Sequence, residues 1–378
     1  MNIKLRFIGK EIEKIKKNNL YRNLRFGEIK GAHITINGKQ LLNLCSNDYL
    51  GIPPTKIKNK QMQSSSRLVS GNDEDFKELE YLLAKHKSQK KSLVYPTGYM
   101  TNLGVIPTVT QKGDLILSDS LNHASIIEAC RLSDASVSIY SHNDMDALSA
   151  KLKQKAKNKF VITEGIFSMD GDYAKLDKIA EIAQKTNATI ILDDAHGDFV
   201  VGKDGRGTAY QFGKSKDIDI YISSLSKGLG SFGGYVASDK NVIEYCVNKS
   251  RSFIYTSALP SFLVEYAIKR LKMDREKHRK KLENNTRKLV RGLQQIGYEI
   301  KSPSHIVPII IGEEKLALEF GRFIMKNGIY AQPIRYPTVQ KNKARLRISV
   351  TAWLSEKDIE YTLSVFEKAA KIFRVLSI

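Results

Sequence analysis

The fold class this sequence predicts is α/β: a large domain on a mostly parallel central sheet, followed by a smaller C-terminal α+β domain. Two observations predict it. Through the middle of the chain, short β-branched apolar runs alternate with helix-length amphipathic stretches, the pattern of strands joined by crossover helices. Three of those runs end on polar or charged residues, at ITEG (162–165), LDDAH (192–196) and SSLSK (223–227). Open α/β sheets present their ligand-binding groups at such strand ends.

Length and composition agree with this class. The 378 residues, 42% hydrophobic and 27% charged, suffice for two or three folding units with a true core. Residues 1–20 carry Lys and Glu at helical spacing, and ITINGKQLLNL follows with Asn37-Gly38 as a hairpin turn, so residues 1–50 are expected to form an N-terminal arm. In the large domain, 51–265, strands are expected over Ser92–Tyr95, Asp114–Leu117, Ser136–Tyr140, Phe160–Thr163, Thr189–Leu192, Ile218–Ser223 and Gly234–Ala237, with helices between them. A charged helical pattern from Pro260 to about Gln295 leads into the C-terminal domain, 266–378, where strand, strand, helix, strand, helix is expected. No internal repeat is present, and QSSSR at 63–67 reads as a polar loop.

The 61 Lys and Arg against 40 Asp and Glu give a net charge of +21, which suits an anionic partner. The basic residues are interleaved with acids and densest at KIKKNN, KLKQKAKNK and REKHRKK, as solvated helix faces are. With no nucleic-acid-binding motif beside them, a nucleic-acid partner is not expected. Cys45, Cys130 and Cys246 are too few for a disulfide framework or a four-cysteine zinc site, so no metal is expected and the three read as small core residues of a reducing compartment. No run of about 18 apolar residues and no secretory leader is seen, so the expectation is a cytoplasmic chain without a membrane span.

IYISSLSKGLGSFGGYV carries the sharpest chemistry. A lysine at a strand end, Lys227, has Ser224 and Ser226 beside it and four glycines in the next seven residues. Small neighbours leave room for its amine to reach a carbonyl, while hydroxyls and backbone N–H groups hold an oxyanion. By itself it is also what a surface lysine in a glycine-rich loop looks like. ATIILDDAHGDFV ends its strand on Asp193, where a carboxylate either caps the next element or stabilises a protonated heterocyclic nitrogen. FVITEGIFSMDGD ends on Glu164 and a turn containing Ser168, and LSDSLNHASIIEA places His123 at a helix start, where an imidazole caps the helix or stacks on a flat ring. Thr97-Gly98-Tyr99 opens a helix, whose N-terminus suits a phosphate. A strand-end lysine, a strand-end aspartate 34 residues before it, a stacking histidine and two anion-holding turns together describe a site for a phosphorylated aromatic aldehyde, pyridoxal phosphate.

The order of these segments resembles the α-oxoamine synthase family of pyridoxal-phosphate enzymes of fold type I. The resemblance extends over nearly the whole chain, through NLCSNDYLGI, SSRLVSGN, DSLNHASIIEA, TEGIFSMDGD, DDAHG, the lysine segment and PIRYPTVQKNKARLRISVTA. It implies that Lys227 forms the imine with the cofactor aldehyde, Asp193 pairs with the ring nitrogen, His123 stacks on the ring, and His196 with Ser168 hydrogen-bonds around the ring hydroxyl. Glu164 is placed among the cofactor-binding residues, and Ser224, Gly98 and Tyr99 hold the phosphate. Substrate contacts are implied at Asn47, His123 and Thr351, at Arg347 before Arg345, and at Arg22 before Arg25. The implied reaction condenses an amino acid with an acyl thioester and releases carbon dioxide, in a homodimer. TEGIFSMDGD, DDAHG and RYPTV followed by ARLR point to L-alanine and a pimeloyl thioester, carried by CoA or a carrier protein, in biotin synthesis. Glycine with acetyl-CoA is the alternative. Three departures bear on the acyl chain: Phe76 where a histidine is common, Ser64–Ser66 in place of a glycine-richer run, and Trp353 after TA, which the resemblance places to narrow the substrate entrance.

Overall fold

In a computed structural model, residues 3–57, 61 and 64–375 are described; Met1 and Asn2 of the expected first helix and Gln63 of the expected polar loop lie outside the described residues. The chain forms two compact units that do not follow chain order. The larger comprises Asn47–Ser168 and Asp172–Lys280, and the smaller joins residues up to Ser46, Met169–Gly171 and residues from Lys281 onward. The division into 1–50, 51–265 and 266–378 is therefore redrawn: the arm is part of the smaller unit, because its last strand pairs with a C-terminal strand.

In the smaller unit, α1 (Arg6–Lys17) buries none of its residues and leaves Phe7, Ile8, Ile12 and Ile15 exposed. β1 (Glu28–Lys30), β2 (His33–Ile36) and β3 (Lys39–Asn43) follow as an antiparallel meander. The β2–β3 turn is the one expected: Asn37 at φ 50° and Gly38 at φ 75° adopt the left-handed conformation that a two-residue hairpin of this twist requires.

The larger unit holds all seven expected strands, each within about two residues of its predicted ends. They are β4 (Lys91–Tyr95), β5 (Leu115–Asp119), β6 (Ser136–Tyr140), β7 (Lys159–Glu164), β8 (Thr189–Asp193), β9 (Ile220–Ser224) and β10 (Gly234–Ser238). Their order is β4-β10-β9-β8-β7-β5-β6. β6, β5, β7, β8 and β9 run parallel, while β10 is antiparallel to both of its neighbours. Two apolar layers sandwich this sheet, and the period of two along each strand decides which residue serves which layer. Leu117, Val161, Leu192 and Tyr221 pack with Phe76, Leu79 and Leu83 of α2 (Glu74–His86). Ile116, Ile162, Ile191 and Ile222 pack against Val105 and Ile106 of α3 (Gly98–Val109) and Ile126 and Ala129 of α4 (Ala124–Leu132). Phe76 has a second partner, since the Arg67 guanidinium lies 4.0 Å from its ring centre.

The helical region after Pro260 is two helices, Ser261–Lys272 and Glu276–Ile296, rather than one. Arg275 sits at the break and donates from Nη1 to the carbonyls of Arg270, Leu271 and Met273, satisfying groups that a helix end leaves open. In the rest of the smaller unit, β11 (Ile306–Gly312), β12 (Ile329–Tyr330), β13 (Pro333–Ile334) and β14 (Ala344–Ser349) are joined by helix Glu314–Lys326 and followed by helix Glu356–Phe373. β12 pairs in parallel with β3, and β11-β14-β13 form an antiparallel sheet. One strand, not the expected two, precedes helix Glu314–Lys326, because the preceding stretch is tied by side chains: Ser302 and Ser304 hydroxyls both donate to the Gly171 carbonyl. Cys130 and Cys246 are buried as expected; Cys45 is only half-buried, and its sulfur accepts a hydrogen bond from the Gln332 N–H at 3.1 Å. Trp353 lies against Gly31 within the smaller unit.

Among the described residues no helix is long and apolar enough to cross a membrane, and no cluster of His, Cys, Asp or Glu could hold a metal ion.

Below the end of β8 lies a fully buried ionic cluster. The Lys87 ammonium is 2.7 Å from Asp198 Oδ1 and 3.3 Å from Asp194 Oδ2, and it donates to the Arg206 carbonyl at 2.8 Å. Thr208 donates to Asp194, and Tyr235 and His86 bond Asp198. Burial pushes the Asp194 carboxyl up to about 6 against the pull of Lys87, whereas the nearby Lys87 and His86 outweigh burial at Asp198 and hold it well below the usual carboxylate range. Replacing Lys87 by Met leaves two buried carboxylates without their cation, so Lys87→Met is expected to cost about 3–5 kcal/mol of stability. Urea unfolding measures it, and a loss under about 1 kcal/mol would mean that the cluster is already balanced without the lysine.

Candidate active site

The parallel strands β5, β7, β8 and β9 deliver their C-terminal residues to one edge of the larger unit's sheet, and the register sets which side chains meet there. Glu164, last in β7, is directly opposite Asp193, last in β8. Both are buried. Asp193 Oδ2 accepts from Asn102 Nδ2 at 2.7 Å and Oδ1 from the Ala195 N–H at 3.0 Å, so the carboxylate is oriented from two sides. Burial raises Glu164 well above the usual carboxyl range, and the neighbouring Asp193 charge adds to the rise, while Lys227 opposes it. Burial and the Asp193 side chain beside it thus disfavour the ionised form of Glu164. Its Oε1 is buried and has no hydrogen-bond partner among the described residues.

Lys227 follows β9, and its Nζ lies 2.9 Å from His196 Nε2. On the other side of the ring, His196 Nδ1 is 2.6 Å from the hydroxyl of the fully buried Tyr49, which donates to Asn47 Oδ1 at 3.1 Å. One proton arrangement satisfies the whole chain: the Lys227 amine donates to Nε2, Nδ1–H donates to Tyr49, and Tyr49 donates to Asn47. Tyr49 therefore ties the NDYLG segment to the DDAHG turn, a role invisible to a reading that singled out Asn47 alone.

Gly98 opens α3, with Thr97 as its cap accepting from the Met100 N–H at 3.1 Å. The N–H groups of Gly98 and Tyr99 precede the first bond of the helix and point where the helix dipole is positive. A methyl group on Gly98 would stand 3.1 Å from the Ser224 side chain, and one on Gly234 would stand 2.5 Å from the Gly98 nitrogen. The missing side chains let the helix start, β9 and β10 close on one another. Ser224 Oγ lies 2.8 Å from Ser226 Oγ. Two hydroxyls and a helix N-terminus meeting in this way form an anion cradle.

His123 caps α4. Desolvation by the surrounding protein holds its imidazole below the usual histidine range, with Asp193 pulling it up and Lys227 pushing it further down. The Tyr99 ring approaches it edge-on, with centres 6.2 Å apart. Ser168 is buried in the loop after β7.

The smaller unit holds the other sequence-derived candidates. Arg345 Nη1 is 2.6 Å from Asp170 Oδ1 and so already has its carboxylate. Arg347, two residues along β14, bonds the Ser349 hydroxyl at 2.7 Å. Thr351 is buried, and its carbonyl accepts from Asn285 Nδ2 at 3.0 Å. Arg22 donates to Thr338 Oγ1 at 3.2 Å and lines a cavity of about 380 Å³ together with Lys16, Arg25, Arg322 and Arg335, with no carboxylate from the described residues in its wall. Arg25 is spent on packing, since it bonds Met325 Sδ and covers the Tyr330 ring.

A family model described as aminotransferase class I and II matches residues 39–366. The 8-amino-7-oxononanoate synthase of Thermoanaerobacter pseudethanolicus is 41% identical to this chain, over 98% of each. That of Thermosipho melanesiensis is 38% identical over 97% of this chain and 98% of its own. Among solved structures, Sphingomonas wittichii serine palmitoyltransferase superposes with a TM-score of 0.91 at 27% identity over 99% of each chain. The 8-amino-7-oxononanoate synthase of Francisella tularensis does so with 0.75 at 28% identity, over 88% of this chain and 98% of that one.

The loops that carry His123 and Ser168 share a clamp that sequence reading passed over. His142 Nδ1 is 2.9 Å from Asp119 Oδ1, and Nε2 is 2.8 Å from Asp172 Oδ2. Burial alone would lower this imidazole, but the two carboxylates outweigh it and raise it to about 10. A histidine raised on folding contributes stability that is complete below its unfolded value of about 6.5 and is lost as pH climbs through the folded value. His142→Gln is therefore expected to be roughly 2–4 kcal/mol less stable than the parent at neutral pH, with the difference closing as pH rises through about 10. Denaturant melts of both proteins across that range check it, and a gap that stays constant would remove the charge from the explanation.

Proposed function

The chain belongs to the class I and II aminotransferase family, and on that premise we propose that it makes 8-amino-7-oxononanoate from L-alanine and a pimeloyl thioester, releasing carbon dioxide and the free thiol, in biotin synthesis. The observation that carries the reading is the convergence at one sheet edge of a lysine amine, an oriented carboxylate and a glycine-lined anion cradle. These are the three groups that pyridoxal phosphate needs for its aldehyde, ring nitrogen and phosphate. The residues fit it: Gly98 and Gly234 keep the cradle clear of side chains, Asp193 is held by two donors, and the Lys227 amine faces the ring nitrogen of His196.

In this reading Ser224 with the Gly98 and Tyr99 N–H groups holds the phosphate, Asp193 holds a protonated ring nitrogen, His196 and Ser168 serve the ring hydroxyl, and Glu164 closes the site beside Asp193. When bound, the cofactor supplies an electron sink for the α-carbon of the amino acid. Lys227 Nζ takes the α-proton, with His196 and Tyr49 fixing where that amine stands. The condensation forms a carbon–carbon bond between the α-carbon and the acyl carbonyl and expels the thiolate. The carboxylate then leaves as carbon dioxide, and a proton returned to the same carbon completes the α-amino ketone. His123 serves as a hydrogen-bond partner for the carbonyl oxygen on which charge develops. Arg347 is assigned the amino acid's carboxylate in preference to Arg345, whose guanidinium is paired with Asp170. Asn47 and Thr351 complete the substrate contacts. The arginine-lined cavity that includes Arg22 favours a donor with negative charge, either the distal carboxylate of a pimeloyl chain or the phosphates of CoA or a carrier protein's prosthetic arm. Only the carboxylate option separates a pimeloyl donor from acetyl-CoA, which carries the same phosphates but no acyl carboxylate.

Three free cysteines and no membrane-spanning helix among the described residues support a cytoplasmic enzyme. The apolar residues of α1 left bare on the single chain support a homodimer.

The deciding assay crosses alanine, glycine and serine with acetyl, succinyl, pimeloyl and palmitoyl thioesters. Alanine with pimeloyl thioester is expected to give the highest kcat/KM, and a maximum at glycine with acetyl-CoA would overturn the assignment. Lys227→Ala is expected to lose the visible absorbance of the bound cofactor and at least about 10²–10⁴-fold in turnover. Borohydride reduction followed by peptide mapping should place the pyridoxyl group on Lys227. Reversing charge at Arg322 and Arg335 together is expected to raise KM for the thioester about 10-fold, near 1.4 kcal/mol, with KM for alanine unchanged.

A further inference from the structure

Asn102 is an α3 side chain with 1% of its surface exposed, and it makes two donations that point in different directions. Its Nδ2 group bonds Asp193 Oδ2 at 2.7 Å and Ser125 Oγ at 2.9 Å. The orientation of the amide follows from chemistry, because a carboxylate oxygen has no hydrogen to give and must face the NH₂ end. The cost of that orientation is visible: Asn102 Oδ1 is buried without a hydrogen-bond partner among the described residues. A buried carbonyl left in that state costs about 1–3 kcal/mol, so packing alone does not account for an amide here.

Ser125 passes the constraint on. Its Oγ lies 2.7 Å from His123 Nδ1, and its backbone N–H reaches the same nitrogen at 3.2 Å. A backbone N–H can only donate, so Nδ1 accepts from it, and the Ser125 hydroxyl, which accepts from Asn102, has its own hydrogen to give to the same nitrogen. Two donors then converge on Nδ1, which must offer its lone pair. The other ring nitrogen, Nε2, has no hydrogen-bond partner among the described residues.

We propose that Asn102 is a positioning residue that acts through Ser125 to fix His123 as the neutral tautomer protonated on Nε2, so that His123 presents a hydrogen-bond donor to the carbonyl oxygen that becomes negative during condensation. The same amide holds Asp193, so one side chain sets the group at the ring nitrogen and the group at the reacting carbonyl together. The lowered pKa of His123 agrees with a neutral ring at working pH. The catalytic half of this inference rests on the proposed reaction; the tautomer does not.

The test reads the tautomer directly. Imidazole nitrogen NMR of ¹⁵N-histidine-labelled protein, with the His123 signal identified by its loss in His123→Asn, is recorded from pH 6 to 9 with and without pyridoxal phosphate. The expected wild-type signal is that of the Nε2–H tautomer throughout. Asn102→Ala and Ser125→Ala are expected to give a mixture with the Nδ1–H form, while Ser125→Thr, which keeps the hydroxyl, keeps the wild-type pattern. Turnover of Asn102→Ala and Ser125→Ala should fall about 10–100-fold in kcat with KM for alanine unchanged. Ser125→Ala carries the test if Asn102→Ala does not fold, as judged by circular dichroism and a melt. An imidazolium or an Nδ1–H ring in the wild type overturns the proposal, as does a wild-type tautomer in both alanine variants. A shifted tautomer with unchanged kcat overturns its catalytic half, and loss of the proposed reaction altogether would leave the NMR result standing.

Discussion

A buried ammonium between two buried carboxylates is the constraint on which the site depends. The DDAHGD turn carries Asp193 and His196, and its second and last acids, Asp194 and Asp198, are both buried on Lys87. Burying either carboxylate without that cation is costly, as is burying the cation without them. Their mutual need locks the turn at the C-terminal end of β8. With the turn held, Asp193 meets Asn102, and His196 lies between Tyr49 and Lys227.

Hydrogen-bond direction propagates from that turn. Carboxylates, amides and hydroxyls have fixed numbers of donors and acceptors, so once Asp193 must accept, Asn102 must donate, and the assignment runs outward to His123. The second relay, from Lys227 through the buried His196 and Tyr49 to Asn47, follows the same logic. His142 adds an ionic clamp on the loops carrying His123 and Ser168. The chemistry asked of this site, holding a proton on one atom and withholding it from the next, is the kind that such networks control.

Much of the fold was legible because apolar periodicity is a local property. All seven strands of the large sheet showed themselves as β-branched runs, and Asn37-Gly38 announced its turn through the positive φ both residues adopt. Errors arose where a local signal was overruled. The helix expected from Pro260 to Gln295 is interrupted at Met273–Arg275, where Arg275 gathers carbonyls that a continuous helix would have bonded internally. Residues 1–50 were expected to form an N-terminal arm with no partner named for it, because a pairing between β3 and β12, almost 300 residues apart in the chain, leaves no mark on either segment.

At the site, the sequence by itself determined the reactive side chains: a lysine, an aspartate, histidines and glycines at strand ends are conspicuous by type and by place, and their order carried the family resemblance. Only the tertiary structure decided which residues govern them. Lys87, Asn102 and His142 are ordinary letters in ordinary helices and loops, while Tyr49 and Ser125 lie inside conspicuous segments without standing out from them. Their importance arises from burial, which strips away water and turns each remaining donor, acceptor or charge into an obligation to a specific partner. Such obligations are met across the sheet between segments far apart in the chain, so they become readable only when the fold has brought the partners within hydrogen-bonding distance.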